Sequence, residues 1–243
     1  MKISDPTANT LCDEQDILES TLPLQGANVL ELGCGKAEKT RAIAQKKKVT
    51  SITALEVDEI QHAKNMQIRD LPNVSFALGG AEAIPAPDER FDIVLMFKSL
   101  HHVPVEMMDQ ALKEIWRVLK PGGLAYISEP VYAGDFNEIL RMFHDERTVR
   151  ELAFAAVQRA VRGGLFELVT QNFFNTPGHF DNFEQFEERI LKVTHTQHQL
   201  TPELYAAVRA RFMAHMTPQG ADFHNPIRVD ILRKSPQGHS VQP

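Results

Sequence analysis

The sequence predicts an α/β protein whose mostly parallel, doubly wound sheet carries helices on both faces. Short apolar runs bounded by glycine or turn residues recur in the first half of the chain, and stretches with helical periodicity separate them. Those stretches are long enough for the right-handed crossovers that join parallel strands. The chain has 243 residues, of which 43% are hydrophobic and 24% charged, as expected for one globular domain with an added element.

The first half is predicted to alternate strands and helices. Strands are expected at residues 27–32, 50–57, 73–78, 91–97 and 124–128. Helices are expected at 37–47, 58–69 and 105–119, the last from apolar residues spaced three and four apart. The Pro-Gly-Gly at 121–123 is expected to end that helix.

The second half is predicted to be mainly helical. Helices are expected at 135–162, 182–193 and 202–215, with Thr201 and Pro202 well suited to begin the last one. Strands are expected at 166–174 and 227–233, before a frayed tail at 235–243.

These elements divide the chain into three expected regions. A core with an N-terminal helix occupies 1–134, a helical cap with a sixth strand occupies 135–225, and the final strand and tail occupy 226–243. The cap is expected to complete a substrate pocket with apolar side chains, namely Phe136, Phe143, Phe154, Leu165 and Phe166.

Charge and composition disfavour several classes of protein. The net charge of −6 lacks the basic footprint of a duplex nucleic-acid binder, and we interpret the lysines at 46–48 as a solvated helix end. No stretch reaches the ~18 apolar residues of a membrane span, and the polar residues 1–10 do not resemble a signal peptide. Two cysteines form no disulfide framework, which favours a cytoplasmic location.

A strand that runs into a glycine-rich turn marks the candidate ligand site. The turn at 31–35 contains Gly33 and Gly35, which let the backbone approach a ligand closely in front of a helix N-terminus. Glu56 ends the second strand about twenty residues later, where a carboxylate can accept hydrogen bonds from both ribose hydroxyls. Glu38 stands where a dinucleotide-binding turn has its third glycine, which disfavours a dinucleotide.

Further motifs follow in an unbroken order. They are Gly-Ala-Glu-Ala-Ile-Pro at 80–85, Phe-Asp-Ile-Val at 91–94, Leu-His-His-Val at 100–103 and the segment 111–123. With the turn at 31–37, this order resembles the class I S-adenosylmethionine-dependent methyltransferases over residues 29–130. The similarity is to the small-molecule branch that includes ubiquinone and menaquinone methyltransferases. Ala37 departs from it, because the family has glycine there.

The resemblance implies a Rossmann-like fold, binding of S-adenosyl-L-methionine, and release of S-adenosyl-L-homocysteine. Glu56 would hold the ribose hydroxyls, and Val57 would lie against the adenine. Relatives carry aspartate where this chain has Gly80, so either Glu82 contacts the adenine amino group or only backbone atoms do. The implied cofactor-binding residues are Glu31, Gly33, Cys34, Gly35, Glu56, Val57, Ala81, Glu82, Phe97 and Lys98.

Two histidines are the catalytic candidates. His101 and His102 follow the fourth strand, where an imidazole could take a proton from the methyl acceptor or could only shape the loop. Expected substrate contacts are Glu129, Tyr132 and Arg147.

No metal cofactor is expected from the sequence. His195 and His198 have a spacing that suits a metal on a helix, but the pattern offers no third ligand, and we interpret both as surface histidines.

Three functions stay open at this point. The first is methyl transfer to a small organic acceptor by in-line displacement, which needs positioning more than a universal catalytic group. The second is carboxymethyl or aminopropyl chemistry on the same kind of cofactor. The third is a cofactor-binding module without catalysis.

Overall fold

Five parallel strands form one half of the central sheet. In the computed structural model, which describes residues 1–46, 48–192 and 199–236, they lie in the order β3-β2-β1-β4-β5. Their bounds are β1 (Asn28–Leu32), β2 (Ser51–Glu56), β3 (Val74–Leu78), β4 (Phe91–Phe97) and β5 (Leu119–Pro130). β1 and β4 are apolar and almost wholly buried because helices cover both faces of the sheet. The predicted fold class is confirmed.

The helices of the first half lie on the two faces as predicted. They are α1 (Glu14–Thr21), α2 (Glu38–Gln45), α3 (Glu59–Asn65) and α4 (Met108–Val118). Asp13 and Asp58 cap the helices α1 and α3, since each side chain accepts a hydrogen bond from a backbone N–H of the first turn. α1 and α2 bury Leu18 and Ile43 against one face of the sheet, and α4 buries Leu112 against the other.

The Pro-Gly-Gly segment at 121–123 differs from the prediction. It does not end α4, which already stops at Val118, but lies inside β5. The strand partner of β5 changes from Phe91 opposite Leu119 to Ile93 opposite Leu124, so the extra residues form an irregular bulge. Gly122 supplies the positive φ of +74° that this bulge contains.

The second half adds two long antiparallel strands. β8 (Gly220–Lys234) pairs with β5 and with β6 (Phe166–Phe180), and the short β7 (Met216–Thr217) pairs with β8. The pairing with β5 stops at Ile227 opposite Pro130. The remaining part of β8 and the end of β6 therefore project beyond the carboxyl edge of the parallel strands as a ribbon.

The two strands of the ribbon are longer than the strands predicted at 166–174 and 227–233, because part of their sequence does not resemble a strand. Pro177 and Gly178 are poor strand formers, but an edge strand tolerates proline. An aromatic cluster fixes the ribbon, and in it the rings of Phe186 and Phe212 lie 4.8 Å apart. Its other aromatic members include Phe180, Phe183 and Phe223.

The helices after β5 belong to two layers. They are α5 (Asp135–Leu140), α6 (Arg147–Arg162), α7 (Phe183–Phe186) with a π-helical turn at Glu187–Leu191, and α8 (Pro202–Met213). The helical periodicity predicted over 135–162 corresponds to the two helices α5 and α6, because the chain turns at 141–146. Most of α6 packs beside α4 in the main core through Ala153, Ala156 and Val157.

This packing changes the expectation for the apolar cap residues. Leu165 and Phe166 pack in or against the main core, and Phe154 lies under the Arg228 guanidinium at 4.4 Å. Phe143 packs against the aromatic cluster. Of the side chains predicted to line the pocket, Phe136 does so. The predicted helix start at Thr201 is confirmed, because its hydroxyl accepts a hydrogen bond from the Leu204 N–H.

The described lysines at 46 and 48 agree with the interpretation of this segment as a solvated helix end. Lys46 and Lys48 both pair with Glu19, at 3.4 and 2.8 Å. Among the described residues, no helix has the length and apolar character to cross a bilayer. Lys47, His195, His198 and the end of the predicted tail from 237 onward lie outside the described residues.

Candidate active site

The glycine turn after β1 combines one packed glycine with one that leaves space. The N–H groups of Gly33 and Cys34 both donate to the Leu55 carbonyl oxygen, at 3.0 and 2.9 Å. A Cβ on Gly33 (φ +72°) would lie 2.9 Å from Ser99 Cβ, so the protein's own packing requires this glycine. A Cβ on Gly35 (φ +51°) would meet no protein atom within 4 Å. The turn is thus open where a ligand would approach.

Ala37 takes a left-handed backbone conformation, which favours glycine, at the position where the resemblance implies a glycine. Its φ is +59° and it stands directly before α2. A left-handed conformation costs a non-glycine residue about 1–2 kcal/mol. The turn therefore keeps its shape despite this departure from the family pattern.

Glu56 closes the turn through three backbone N–H groups. Its Oε2 accepts from Gly35 at 2.7 Å, and its Oε1 accepts from Val57 and Asp58 at 2.9 Å each. The side chain is buried at the end of β2, beside the open turn. A carboxylate has about four acceptor positions, so one remains for a ligand hydroxyl. The role of Glu56 toward ribose stays a prediction.

Two further buried groups hold the turn from below. Asn65 Nδ2 donates to the Gly35 carbonyl at 2.8 Å, and the Thr40 hydroxyl donates to Glu31 Oε2 at 2.6 Å. Burial raises the pKa of Glu31 to about 7 and that of the Cys34 thiol to about 12. Cys34 is therefore an unreactive thiol, and Glu31 is an acid that a nearby cation could ionise.

The residues expected around adenine form a shallow surface beside the turn. Val57 directly follows Glu56 and is 64% exposed, so its side chain is accessible to an aromatic base. Ala81 is buried. The Glu82 carboxylate folds back over Gly80 and occupies the space that a side chain at position 80 would need.

The end of β4 lies between this surface and a cavity. Phe97 packs its ring 5.6 Å from that of Tyr126, and the Lys98 N–H donates to the Ser128 carbonyl at 2.7 Å. Lys98 has a φ of +55°, a left-handed conformation that is strained for a lysine, and strained residues cluster at active sites. The Ser99 hydroxyl donates to the Leu32 carbonyl at 2.9 Å, which ties this loop to the glycine turn.

The cavity has a volume of about 250 Å³ and two kinds of wall. Its apolar wall consists of Pro130, Val131, Ala133, Phe136, Leu140, Pro226 and Ile227. Its polar wall consists of Lys98, His101, His102, Asn137, Glu146, Arg150 and Asn225. It lies at the carboxyl ends of β4 and β5, where open α/β sheets bind ligands.

A buried ion-pair network supports the polar wall of the cavity. His101 Nδ1 lies 2.5 Å from Glu129 Oε2, and its Nε2 lies 3.6 Å from Glu146 Oε1. Arg150 donates to Glu146 Oε2 at 2.5 Å and to Asn137 Oδ1 at 3.1 Å. The network joins the end of β5 to the first turn of α6.

Electrostatics separate the two catalytic candidates. Burial alone would lower the pKa of His101, but the Glu129 and Glu146 carboxylates outweigh it and raise the pKa to about 9. The same contact with His101 and Arg150 lowers the pKa of Glu146 despite burial. His102 is exposed, and its ring centroid lies 4.1 Å from that of His101. His102 is therefore the histidine that a substrate can reach.

The expected substrate contacts lie behind or beside the cavity. Glu129 is buried and accepts hydrogen bonds from the Leu100 N–H and the His101 ring, so it supports the wall. The Arg147 guanidinium lies 4.6 Å from the centre of the Tyr132 ring. Neither Tyr132 nor Arg147 is among the residues that line the cavity.

Four polar residues of the cavity escaped the sequence analysis. They are Asn137, Glu146, Arg150 and Asn225. Glu146 and Arg150 are four residues apart at the start of α6, a spacing that forms ion pairs on a helix. That spacing was the available signal. Asn225 lies in the strand extension that the sequence did not predict.

A comparison with protein families matches residues 29–123 to a methyltransferase domain. A demethylmenaquinone methyltransferase of Listeria welshimeri is 36% identical over 103 residues, which are 41% of this chain and 43% of that protein. A phthiotriol/phenolphthiotriol dimycocerosates methyltransferase of Mycobacterium ulcerans is 33% identical over 100 residues, or 41% of this chain and 36% of that protein. These alignments thus cover less than half of each relative's length.

A similarity between whole folds extends over almost the entire chain. A candidate methyltransferase of Bacillus halodurans C-125 superposes with a TM-score of 0.64 at 18% identity, covering 92% of this chain and 99% of that one. The matched domain contains the glycine turn, Glu56 and the end of β4. Residues 29–123 are accordingly similar to a methyltransferase domain, and the chain shares its overall fold with this solved structure.

Proposed function

We propose that this protein transfers a methyl group from S-adenosylmethionine to a small organic acceptor held in the cavity beside Lys98. The observation that supports this most directly is the position of the cavity. It opens at the end of β4, the strand adjacent to the one that leads into the glycine turn. A donor on the turn and an acceptor in the cavity would meet at the Lys98 loop.

The described residues fit the donor. The free space at Gly35 suits the methionine part of the donor, which the backbone would approach closely. The exposed Val57 suits the adenine, and the remaining acceptor position of Glu56 suits the ribose. S-adenosylmethionine supplies an electrophilic methyl group on a positively charged sulfonium. The buried Glu31 offers a carboxylate close to that charge.

The cavity walls indicate the character of the acceptor. One wall is apolar and the other carries hydrogen-bonding and charged groups, so a molecule with an apolar body and one polar end fits best. Asn137 Nδ2 and Arg150 Nε are buried without a partner among the described residues, which leaves hydrogen-bonding capacity at the polar end. About 250 Å³ suits a small molecule rather than a polymer.

The chain's residues would act mainly by positioning. Because the sulfonium is a good leaving group, alignment of acceptor and methyl carbon supplies much of the acceleration. When the acceptor is a hydroxyl, its proton has to leave, and we assign its uptake to the exposed His102 rather than to His101. A cytoplasmic location belongs to this proposal and is supported by the free thiols Cys12 and Cys34.

Calorimetry with S-adenosylmethionine and S-adenosylhomocysteine tests the donor site. Glu56→Ala should weaken binding by about 1–3 kcal/mol, which is the range for the loss of a hydrogen bond to a charged group. Glu59→Ala removes the same charge from the exposed first turn of α3 and should leave binding unchanged. Equal affinities in both variants and the wild type, at equal thermal stability, would refute the ribose assignment.

Mass spectrometry of reaction mixtures tests the chemistry. Panels of small phenols, carboxylic acids and amines should yield one product heavier by a methyl group, together with S-adenosylhomocysteine. A carboxymethyl or aminopropyl product would establish the second hypothesis. Tight cofactor binding without any product across the panel would favour the non-catalytic module.

A further inference from the structure

The histidine pair and Glu146 have the arrangement of a metal site on the cavity wall. One ligand atom from each of His101, His102 and Glu146 lies within 4.8 Å of the other two. These residues come from the loop after β4 and from the start of α6, two segments far apart in sequence. No spacing in the sequence indicates this convergence, because the three residues meet only in the folded chain.

The contacts around His101 orient it as a metal ligand. Its Nδ1 meets Glu129 Oε2 at 2.5 Å, which directs Nε2 toward Glu146. A carboxylate behind a histidine is the usual partner that fixes the ring and tautomer of a ligating imidazole. The distance of 3.6 Å between Nε2 and Glu146 Oε1 is longer than the donor–acceptor distance of a good hydrogen bond. It is roughly the distance between two ligand atoms that each lie ~2.1 Å from one ion.

The surroundings of Glu146 and His102 complete the arrangement. Arg150 occupies Glu146 Oε2 at 2.5 Å and leaves Oε1 toward the histidines. His144 Nε2 lies 3.0 Å from the same Oε1, so a further imidazole stands next to the cluster. His102 is exposed, and a ligand atom of its ring already lies within 4.8 Å of those of the other two residues.

We propose that His101, His102 and Glu146 bind one divalent transition-metal ion of the zinc type at the polar end of the cavity. Nitrogen and carboxylate ligands in this number suit such ions and leave at least one position open toward the cavity. When the ion replaces the proton of His101, the two carboxylates Glu129 and Glu146 exceed the single guanidinium of Arg150 by one negative charge. This departs from the expectation that no metal is used.

The site would define the acceptor class, an inference that rests on the proposed methyl transfer. An acceptor hydroxyl bound at the open position loses its proton to water more readily, because a divalent ion lowers its pKa. The oxygen then forms a bond to the methyl carbon, while the carbon–sulfur electron pair stays on sulfur as the neutral thioether leaves. His102 would then be a ligand, and proton uptake would pass to solvent.

Metal content and affinity of the full-length, untagged protein test the site without any activity. After chelator treatment, Zn²⁺ titrated against a competing chromophoric chelator should bind with a stoichiometry of one and micromolar or tighter affinity. Co²⁺ bound at the same site should show the visible absorption bands of an ion that has few nitrogen and oxygen ligands. Glu146→Gln and His102→Ala should each weaken Zn²⁺ at least ~10-fold, and Glu129→Gln about 10–100-fold.

A matched histidine variant serves as the control. His179 is an exposed histidine that contacts Asp222 and Asp181 on the ribbon, so His179→Ala should leave Zn²⁺ affinity unchanged. Absence of a stoichiometric site, or unchanged affinity in His102→Ala and Glu146→Gln, overturns the proposal. Since His102 is exposed, its variant remains informative even if Glu146→Gln unfolds. S-adenosylmethionine affinity of the metal-free protein tests the proposed function separately.

Discussion

The donor and acceptor regions of this protein are built in different ways. The donor region uses residues that are close in sequence, at the ends of β1 and β2, and backbone atoms make most of its contacts. The acceptor region brings together the loop after β4, the end of β5, the start of α6 and the antiparallel ribbon. Side chains make its contacts there.

This difference indicates which half can vary. A turn defined by backbone geometry tolerates few substitutions, so one cofactor can be retained while the acceptor cavity changes. The ribbon and α5–α6 carry the cavity without taking part in the parallel strands. Variants of the two regions should therefore have separable effects, on donor affinity in one case and on turnover in the other.

The largest effect is expected in the acceptor region. His102→Ala should lower turnover by about 10²–10⁴-fold, because it removes a group that takes the proton or holds the proposed ion. Cofactor affinity should barely change, since His102 lies on the cavity side of Lys98. Steady-state kinetics and calorimetry on the same preparation measure both. His179→Ala is the matched control, and unaltered turnover in His102→Ala would make that histidine structural.

The next effect concerns the buried acid of the donor region. The pKa of Glu31 rises from 4.5 to about 7 on folding, so the folded state binds this proton more tightly than the unfolded state. The resulting stabilisation is complete below pH 4.5 and is lost as the pH rises through about 7. Glu31→Gln keeps an acceptor for Thr40 but does not titrate. Its free energy of unfolding should therefore rise by about 3 kcal/mol relative to that of the wild type as the pH increases from 4 to 8.

Denaturant unfolding at a series of pH values measures this gain. Glu59→Gln, on the exposed first turn of α3, should show no such trend. A constant difference between Glu31→Gln and wild type across the pH series would show that Glu31 keeps an ordinary pKa. Cofactor should reduce the difference, because the sulfonium favours the ionised carboxylate.

The same contrast explains what the sequence could predict. The parallel strands read as apolar runs, and the glycine turn and Glu56 form a local pattern with a fixed spacing, so the predicted elements differ from the structure by a few residues. The cavity depends on tertiary packing. No spacing in the sequence connects His101 with Glu146, and Pro177 and Gly178 conceal the end of β6 that supports Asn225.

A smaller effect is expected at the open glycine of the turn. Gly35→Ala should weaken S-adenosylmethionine by ~10-fold or more, because its Cβ enters space that is free of protein atoms and is assigned to the ligand. Gly26 shares the left-handed conformation (φ +74°) and also has open space around it. Both alanine variants should lose about 1–2 kcal/mol of stability from strain. If Gly35→Ala binds like Gly26→Ala, the cofactor lies elsewhere.

The smallest effect is expected at the proposed adenine edge, where the resemblance implies an aspartate and this chain has Gly80. The Glu82 carboxylate occupies the space of the missing side chain, so Glu82→Ala should weaken S-adenosylmethionine by about 1 kcal/mol, the loss of one hydrogen bond. Gly80→Asp alone should clash with that carboxylate and also weaken binding. The double variant removes the clash and restores an acid beside the adenine, so its affinity should return toward wild type. Calorimetry on the three variants measures this coupling, and additive losses would mean that only backbone atoms contact the adenine amino group.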